Sequence, residues 1–380
     1  MELEPLKMTI TKHAKKLKIF VIAGEVSGDV LGAKIMREMP GVEFVGIGGQ
    51  NMTKAGLRSL FPISDLAVMG IFEVLAHARI LSKRIKQTVA AIINEKPDIV
   101  LTIDSPGFAK AVIKSVRKKG LLNTTKFYHV VAPQVWAWGA RRAGKYAKIF
   151  DKLYSFFDFE KPYFEKYGLT TVAVGHPISD GLDKYKKTVK NAKIISFIPG
   201  SRMNEVKKLL PVFHETINML GDKDYKFVMP TVETTDEYIR NNIQNWEIKP
   251  DLVHSDERYD LFANSYIAVA ASGTVSAELA IMHIPTIVVY KMNPLTVLLA
   301  HFLVRIKWVS LVNILMNKTI FPELLGKHAN PKEILDAINK LTHESERKKM
   351  IAALKGADKQ WSRSGQNAAK LIADDILSSV

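Results

Sequence analysis

The 380-residue chain contains no cysteine. That excludes a disulfide scaffold, thiolate zinc sites, iron–sulfur clusters and a cysteine nucleophile. A reducing compartment is permitted by this absence but not demanded by it. Uninterrupted apolar runs of about 18 residues are also missing, so a spanning helix is not expected. The best stretch, Thr296 to Trp308, is broken by Arg305 and Lys307. The apolar run Ile19 to Ala23 follows a basic stretch, Lys12 to Lys18, but is too short for a secretory signal core. The chain is therefore expected to stay in the cytosol. The ten histidines show no HExxH or other metal spacing. Acidic residues are in deficit: 38 Asp plus Glu face 54 Lys plus Arg, a formal charge of +16. An anionic partner follows, with phosphates, acidic lipid headgroups and nucleic acid all admissible on charge alone.

A 47% hydrophobic content with 24% charged residues excludes a disordered or collagen-like chain, and the length suits two domains. Short β-branched runs alternate with helix-like stretches. Ile19–Ala23, Glu43–Ile47, Asp98–Ile103 and Phe127–Val131 read as strands, with helices over Val30–Met39 and Ser82–Asn94. A second series begins at Lys193–Gly200 and continues through Tyr225–Val228, Tyr266–Ala270 and Thr286–Tyr290. Lys332–Val380 reads as helical throughout. Strand–helix alternation predicts parallel sheets covered by helices, here two doubly wound α/β domains facing a cleft. The expected division is an N-terminal extension (1–16), a first domain (17–180), a polar lysine-rich linker (181–192), a second domain (193–345) and a C-terminal helical segment (346–380).

Five strand-end motifs carry candidate chemistry, because ligands of such sheets sit at the carboxyl ends of the strands. Gly24-Glu25-Val26-Ser27-Gly28-Asp29 follows the first strand. It lets backbone approach a ligand, or it is a tight turn with Asp29 as an N-cap. Asp104 ends a strand before Ser105-Pro106-Gly107; its carboxylate could take a proton from an attacking hydroxyl, or serve as a turn residue. Trp136 and Trp138, with Arg141, Arg142, Lys145 and Lys148 behind them, suit a sugar, an acyl chain or an anionic headgroup, or else a core Trp with a solvated basic helix. Gly200-Ser201-Arg202 before a helix makes a diphosphate cradle, with a capping box as the alternative. Ser272, Gly273 and Thr274 lead into a helix whose Glu278 could hold a ribose diol through two acceptor oxygens. The last two motifs together point to a nucleoside diphosphate. Asp98, at a strand start, and the turn Gly175-His176-Pro177 read as structural.

Taken in order, these pieces resemble the lipid-A-disaccharide synthase family, glycosyltransferases of the GT-B type (family 19). The resemblance runs from about Leu17 to Leu325 and continues more weakly to the end. It rests on AGEVSGD at 23–29, MGIFEVL at 69–75, IDSPGF at 103–108, APQVWAW at 132–138, FDFEKPYFEKYG at 157–168, GHPISD at 175–180, IPGSR at 198–202, SGTVSAE at 272–278, VSLVNIL at 309–315 and PELL at 322–325. The chain departs from the family pattern at Gln134, where Ser is usual, at Val312, where the family has Pro, and at Gly326, where Gln is frequent.

The resemblance implies an inverting transferase joining UDP-2,3-diacylglucosamine to 2,3-diacylglucosamine 1-phosphate. The product is the β(1→6) lipid A disaccharide 1-phosphate of lipopolysaccharide biosynthesis, with UDP leaving and neither metal nor other cofactor needed. It implies work at the cytoplasmic face of the inner membrane of Gram-negative bacteria, peripheral on an anionic surface, with no nucleic acid as partner. Asp104 is the expected base, with Glu25 assisting. Ser27, Trp136, Trp138, Arg202, Ser272, Gly273, Thr274, Glu278 and Asn313 are the expected substrate contacts. Met69, Ile71 and Phe72, followed by Lys83, Arg84 and Lys86, form the expected membrane face. The competing readings are another UDP-sugar GT-B enzyme, such as a peptidoglycan glycosyltransferase or a UDP-sugar epimerase, and a non-catalytic protein binding anionic lipid.

Overall fold

Hydrophobic strands buried on both faces build two all-parallel sheets in the computed structural model. It describes residues 16–66, 78–120, 123–137, 139–186, 193–221, 224–291, 307–361 and 367–379. Met69, Ile71, Phe72 and Trp138 lie outside the described residues. The first sheet has seven strands: β1 (Lys18–Ala23), β2 (Glu43–Ile47), β3 (Arg58–Ser59), β4 (Ile99–Ile103), β5 (Lys126–Val130), β6 (Lys152–Ser155) and β7 (Thr170–Ala173), in the order β3-β2-β1-β4-β5-β6-β7. The second has six: β8 (Ile194–Ile198), β9 (Lys226–Thr231), β10 (Asp251–His254), β11 (Ile267–Ala271), β12 (Thr286–Tyr290) and β13 (Glu323–Leu325), in the order β10-β9-β8-β11-β12-β13.

Alternation along the central strands explains why they read as unbroken apolar runs. In β1, Phe20 and Ile22 enter one core cluster while Ile19, Val21 and Ala23 enter the cluster on the opposite face. β4 divides in the same way, with Val100 on one side and Ile99, Leu101 and Ile103 on the other. Such two-sided burial is the rule for parallel sheets, and each fully buried side chain of this size is worth about 1.5–3 kcal/mol. Asp98 is structural: its carboxylate accepts the Lys18 amide at 3.0 Å, tying β4 to the start of β1.

The first helix begins at Val26, four residues before the expected start. Ser27 and Gly28 are weak helix formers, but Gly28 faces β4, where an added Cβ would lie 3.3 Å from the Ile103 carbonyl oxygen. Close helix–sheet packing outweighs propensity here. Asp29 caps a different helix from the one it belongs to. Its buried carboxylate accepts from the amides of Gly49 (2.7 Å), Asn51 (3.0 Å) and Met52 (3.0 Å) and from the Asn51 side chain (2.9 Å), at the start of helix Gln50–Lys54.

The C-terminal region is helical, as Pro331–Thr342, Glu344–Gly356, Asp358–Trp361 and Ala368–Ser378. The last helix does not cover the second sheet. Its buried positions Ala368, Ala369, Ile372, Ala373 and Ile376 pack into the first sheet's core, and Asp375 binds Lys152 and the Tyr154 hydroxyl, each at 2.7 Å. The returning chain is pinned beside the linker: Trp361's carbonyl accepts the His176 amide at 2.9 Å, and Asp358 holds Lys186 (3.2 Å) and His283 (2.8 Å). Among the described residues, no helix is long and apolar enough to cross a membrane.

Candidate active site at two topological switch points

Strand order reverses once in each sheet, between β1 and β4 and between β8 and β11. Diverging connections leave a crevice at such a reversal, at the carboxyl ends of the strands. Four of the five strand-end motifs lie in the loops flanking the two reversals; the fifth, with Trp136, follows β5.

In the second sheet, the loop after β8 carries Gly200, Ser201 and Arg202, and the loop after β11 carries Ser272, Gly273 and Thr274. They close on a cavity of about 410 Å³ that Glu278 also lines. The helices Met203–Leu220 and Thr274–Ile281 open onto it, and neither has its first turn closed by an N-cap side chain. The capping-box alternative is thereby removed, and first-turn N–H groups of both helices are left for an anion. Gly200 has φ +97°, in the region that favours glycine. Arg202 is 73% exposed and pairs with Glu205 at 3.1 Å.

Glu278 is buried with two partners. Its Oε1 accepts from the Tyr259 hydroxyl at 2.9 Å and from the Arg258 guanidinium at 3.3 Å. Burial, and then the Glu278 charge, push the Tyr259 phenol up to about 12, which keeps it a donor at neutral pH. Arg258 and Phe262 also line the cavity and were missed in the sequence. Arg258 sits in the polar run Asp256-Glu257-Arg258-Tyr259 and Phe262 one turn further along the same helix, with no motif to mark either.

In the first sheet, the β1 and β4 turns touch. A Cβ on Gly24 would stand 2.3 Å from Ser105 Cβ, so this approach exists only because residue 24 lacks one. Asp104 (φ +54°), Ser105 (φ +47°) and Val131 (φ +77°) are all left-handed at the ends of β4 and β5. Such conformations cost about 1–3 kcal/mol each and gather at functional sites. They hold Asp104 with one carboxylate oxygen on the Ser105 amide at 2.8 Å. Burial, and then the neighbouring Asp104 charge, raise the Glu25 carboxyl above its usual range. Tyr146 is pushed up to about 12, first by burial and also by Asp104, against the pull of Arg142. Asp104 and Glu25 thus form one acidic pair, and Ser27 is exposed in the helix turn beside them.

Other expected contacts fall elsewhere. Trp136 donates its indole N–H to Glu160 at 3.3 Å and sits edge-on to Phe159, so its polar end turns into the domain. Burial pushes that Glu160 carboxyl up to about 7, with the Phe157 amide and the Trp136 indole pulling the other way. Asn313, expected as a substrate contact, is buried and hydrogen-bonded within the fold. Its Oδ1 accepts the Ile320 and Phe321 amides, and its Nδ2 donates to the Phe321 carbonyl and to Glu323, filling all four hydrogen-bond positions. Arg84 is partly engaged within the domain: its Nε donates to Asp65 at 2.8 Å and its guanidinium lies over the Phe61 ring. Lys83 and Lys86 remain exposed, with Arg79, around one shallow depression. Gly326 has φ +59°, a conformation that the frequent Gln would strain, so the backbone itself accounts for that departure.

The sequence profile of the lipid-A-disaccharide synthetase family matches residues 19–376. The chain belongs to this family. The lipid-A-disaccharide synthase of Rhodospirillum centenum is 40% identical over 348 residues, covering 87% of this chain and 86% of that protein. Among solved structures, MurG of Acinetobacter baumannii matches with a TM-score of 0.62 at 12% identity, over 96% of this chain and 99% of that one. S. aureus MnaA, solved with UDP, matches with a TM-score of 0.59 at 15% identity, over 96% of each chain. Identities this low speak for the fold alone, and the fold is of the GT-B type expected from the sequence.

Proposed function

We propose that the chain is a lipid-A-disaccharide synthase. It joins UDP-2,3-diacylglucosamine to 2,3-diacylglucosamine 1-phosphate, gives the β(1→6) disaccharide 1-phosphate and releases UDP. The observation that carries this reading is the chemical contrast between the switch points: one is a cradle of helix N-termini with a cation, the other a pair of touching turns, each bearing one carboxylate, with the Asp104 turn strained. The donor's diphosphate belongs at the β8/β11 reversal; S. aureus MnaA, a protein of the same fold, was solved with UDP. Glu278, oriented by Tyr259 and Arg258, faces the ribose diol.

The acceptor's 6-hydroxyl oxygen attacks C1 of the donor sugar as the bond from C1 to the diphosphate oxygen breaks. The hydroxyl proton passes to Asp104. The electron pair leaves with the diphosphate, where Arg202 and the N–H groups of the helix beginning at Thr274 meet the growing charge. One displacement on an α-linked donor gives the β product through an oxocarbenium-like transition state. Glu25, with its raised carboxyl on the adjoining β1 turn, orients the acceptor and shares the proton.

Both substrates carry acyl chains, so the enzyme meets them as a peripheral protein at the inner face of the inner membrane. Lys83, Lys86 and Arg79, with Ile80 at 44% exposure, support a basic contact there, adjoining Met69, Ile71 and Phe72 in sequence. Mass spectrometry of products from the two lipid substrates tests the activity. Disaccharide 1-phosphate with stoichiometric UDP is expected. UDP release with only another acceptor, epimerised donor, or vesicle binding without UDP release would each replace the reading. Flotation on anionic vesicles, weakened by Lys83→Glu with Lys86→Glu and by Met69→Ser with Phe72→Ser, tests the membrane face.

A further inference from the structure

A second large cavity, of about 610 Å³, lies at the outer edge of the six-stranded sheet. The segment leading into edge strand β13 forms one wall, and helices Pro331–Thr342 and Glu344–Gly356 form the others. Its interior is apolar, built on Ile320, Leu341 and Met350, with Ala337 and Ala353 leaving the space open. Its size is that of a single-ligand site, and it shares no lining residue with the switch-point cavity.

The rim is cationic. Lys318, Lys340 and Lys349 stand around the mouth with one acid, Glu346. Lys340, 71% exposed, approaches Glu346 only to 4.0 Å. Among the described residues, neither Lys318 nor Lys349 has an ion-pair partner. Trp308 adjoins the lip: its indole N–H donates at 3.0 Å to Thr319, a lining residue, and Lys307 lies 4.8 Å over its ring. An apolar interior, a lysine rim and a Trp at the edge match an acyl chain below an anionic headgroup. A second copy of this chain, itself carrying +16, fits that rim poorly.

We infer that this cavity is a lipid site that takes one acyl chain of an acidic membrane phospholipid, with the headgroup phosphate held by Lys318, Lys340 and Lys349. The inference does not depend on the transferase reading, and its test uses no activity. The full chain is mixed with vesicles of phosphatidylglycerol brominated on its acyl chains, and tryptophan quenching is compared with that of Trp308→Phe. The expected result is a quenching component that belongs to Trp308 and is absent with brominated phosphatidylcholine. Replacing Lys318, Lys340 and Lys349 together by Glu should weaken that component about tenfold or more, since each cation near such a surface matters. Ala353→Phe, which fills the cavity without adding an indole, should abolish it. Quenching equal in Trp308→Phe, equal with phosphatidylcholine, or unchanged in the lysine triple variant would overturn the inference. So would sedimentation showing self-association through this rim without quenching. If Ala353→Phe fails to fold, the triple variant, confined to rim side chains, still decides.

Discussion

Gly24→Ala should damage the reaction far more than the fold. Gly24 is not in the left-handed region, so alanine fits its torsions and the effect is steric alone. The new methyl would stand 2.3 Å from Ser105 Cβ and 2.4 Å from its hydroxyl oxygen. Carbon atoms rest at about 3.5–4.0 Å, so the two turns must separate by roughly 1.2 Å. Rotamer changes cannot relieve this, because Ser105 Cβ is fixed to a backbone already held at φ +47°. The shift falls on Asp104 and Glu25, one residue from each contact atom. A misplacement of about 1 Å can cost about 10²-fold in rate, whereas overpacking costs about 1–3 kcal/mol of stability. The assay is the initial rate of UDP release beside a thermal melt. Adding Ser105→Gly removes the opposing Cβ and suits the positive φ, so the double variant should recover most of the rate. Wild-type turnover in Gly24→Ala, or no recovery in the double variant, would refute the reasoning.

Arg202→Ala should weaken UDP binding by about 10- to 150-fold, the worth of a charged hydrogen bond of roughly 1.5–3 kcal/mol, as read by calorimetry. Asp29→Asn should destabilise the fold by about 1.5–3 kcal/mol in urea melts, since an amide cannot accept at every position where four donors converge. Burial raises the Asp29 carboxyl, but the Met52, Asn51 and Gly49 donors prevail and leave it lowered. Its stabilisation is therefore present above the unfolded value of about 3.9 and lost as pH falls through the folded one; the variant should lack that acid-side slope. The Glu25 carboxyl, raised by burial and then by Asp104, should titrate lower in Asp104→Asn by carboxyl-carbon NMR. A raised carboxyl loses stability as pH rises through it, so that variant should also melt higher above this range.

The strands nearest each reversal were readable because burial on both faces turns β1, β4, β8 and β11 into continuous apolar runs. The motifs after them were readable because glycine and serine at a strand end leave few structural uses. Short strands such as β3, β10 and β13 carry partly exposed, mixed side chains and have no such signal. Long-range pairing was the other blind spot. Nothing local ties Arg258 to Glu278, Arg84 to Asp65 or Asn313 to the 320–323 backbone, and nothing in Ala368–Ser378 says that its apolar face returns to the first sheet. The reversal of strand order, which brings Gly24 against Ser105, is likewise a property of topology and not of any window of sequence.

The central claim is a division of labour: nucleotide at the β8/β11 reversal and proton transfer at the β1/β4 reversal. Measuring UDP affinity and turnover separately in Asp104→Asn and Glu278→Gln tests it most directly. Asp104→Asn should keep wild-type UDP affinity and lose about 10²–10⁴ in turnover, the usual worth of a positioned base, while Glu278→Gln should lose UDP affinity. Near-normal turnover in a folded Asp104→Asn chain, or loss of UDP affinity in that variant with none in Glu278→Gln, would contradict the account.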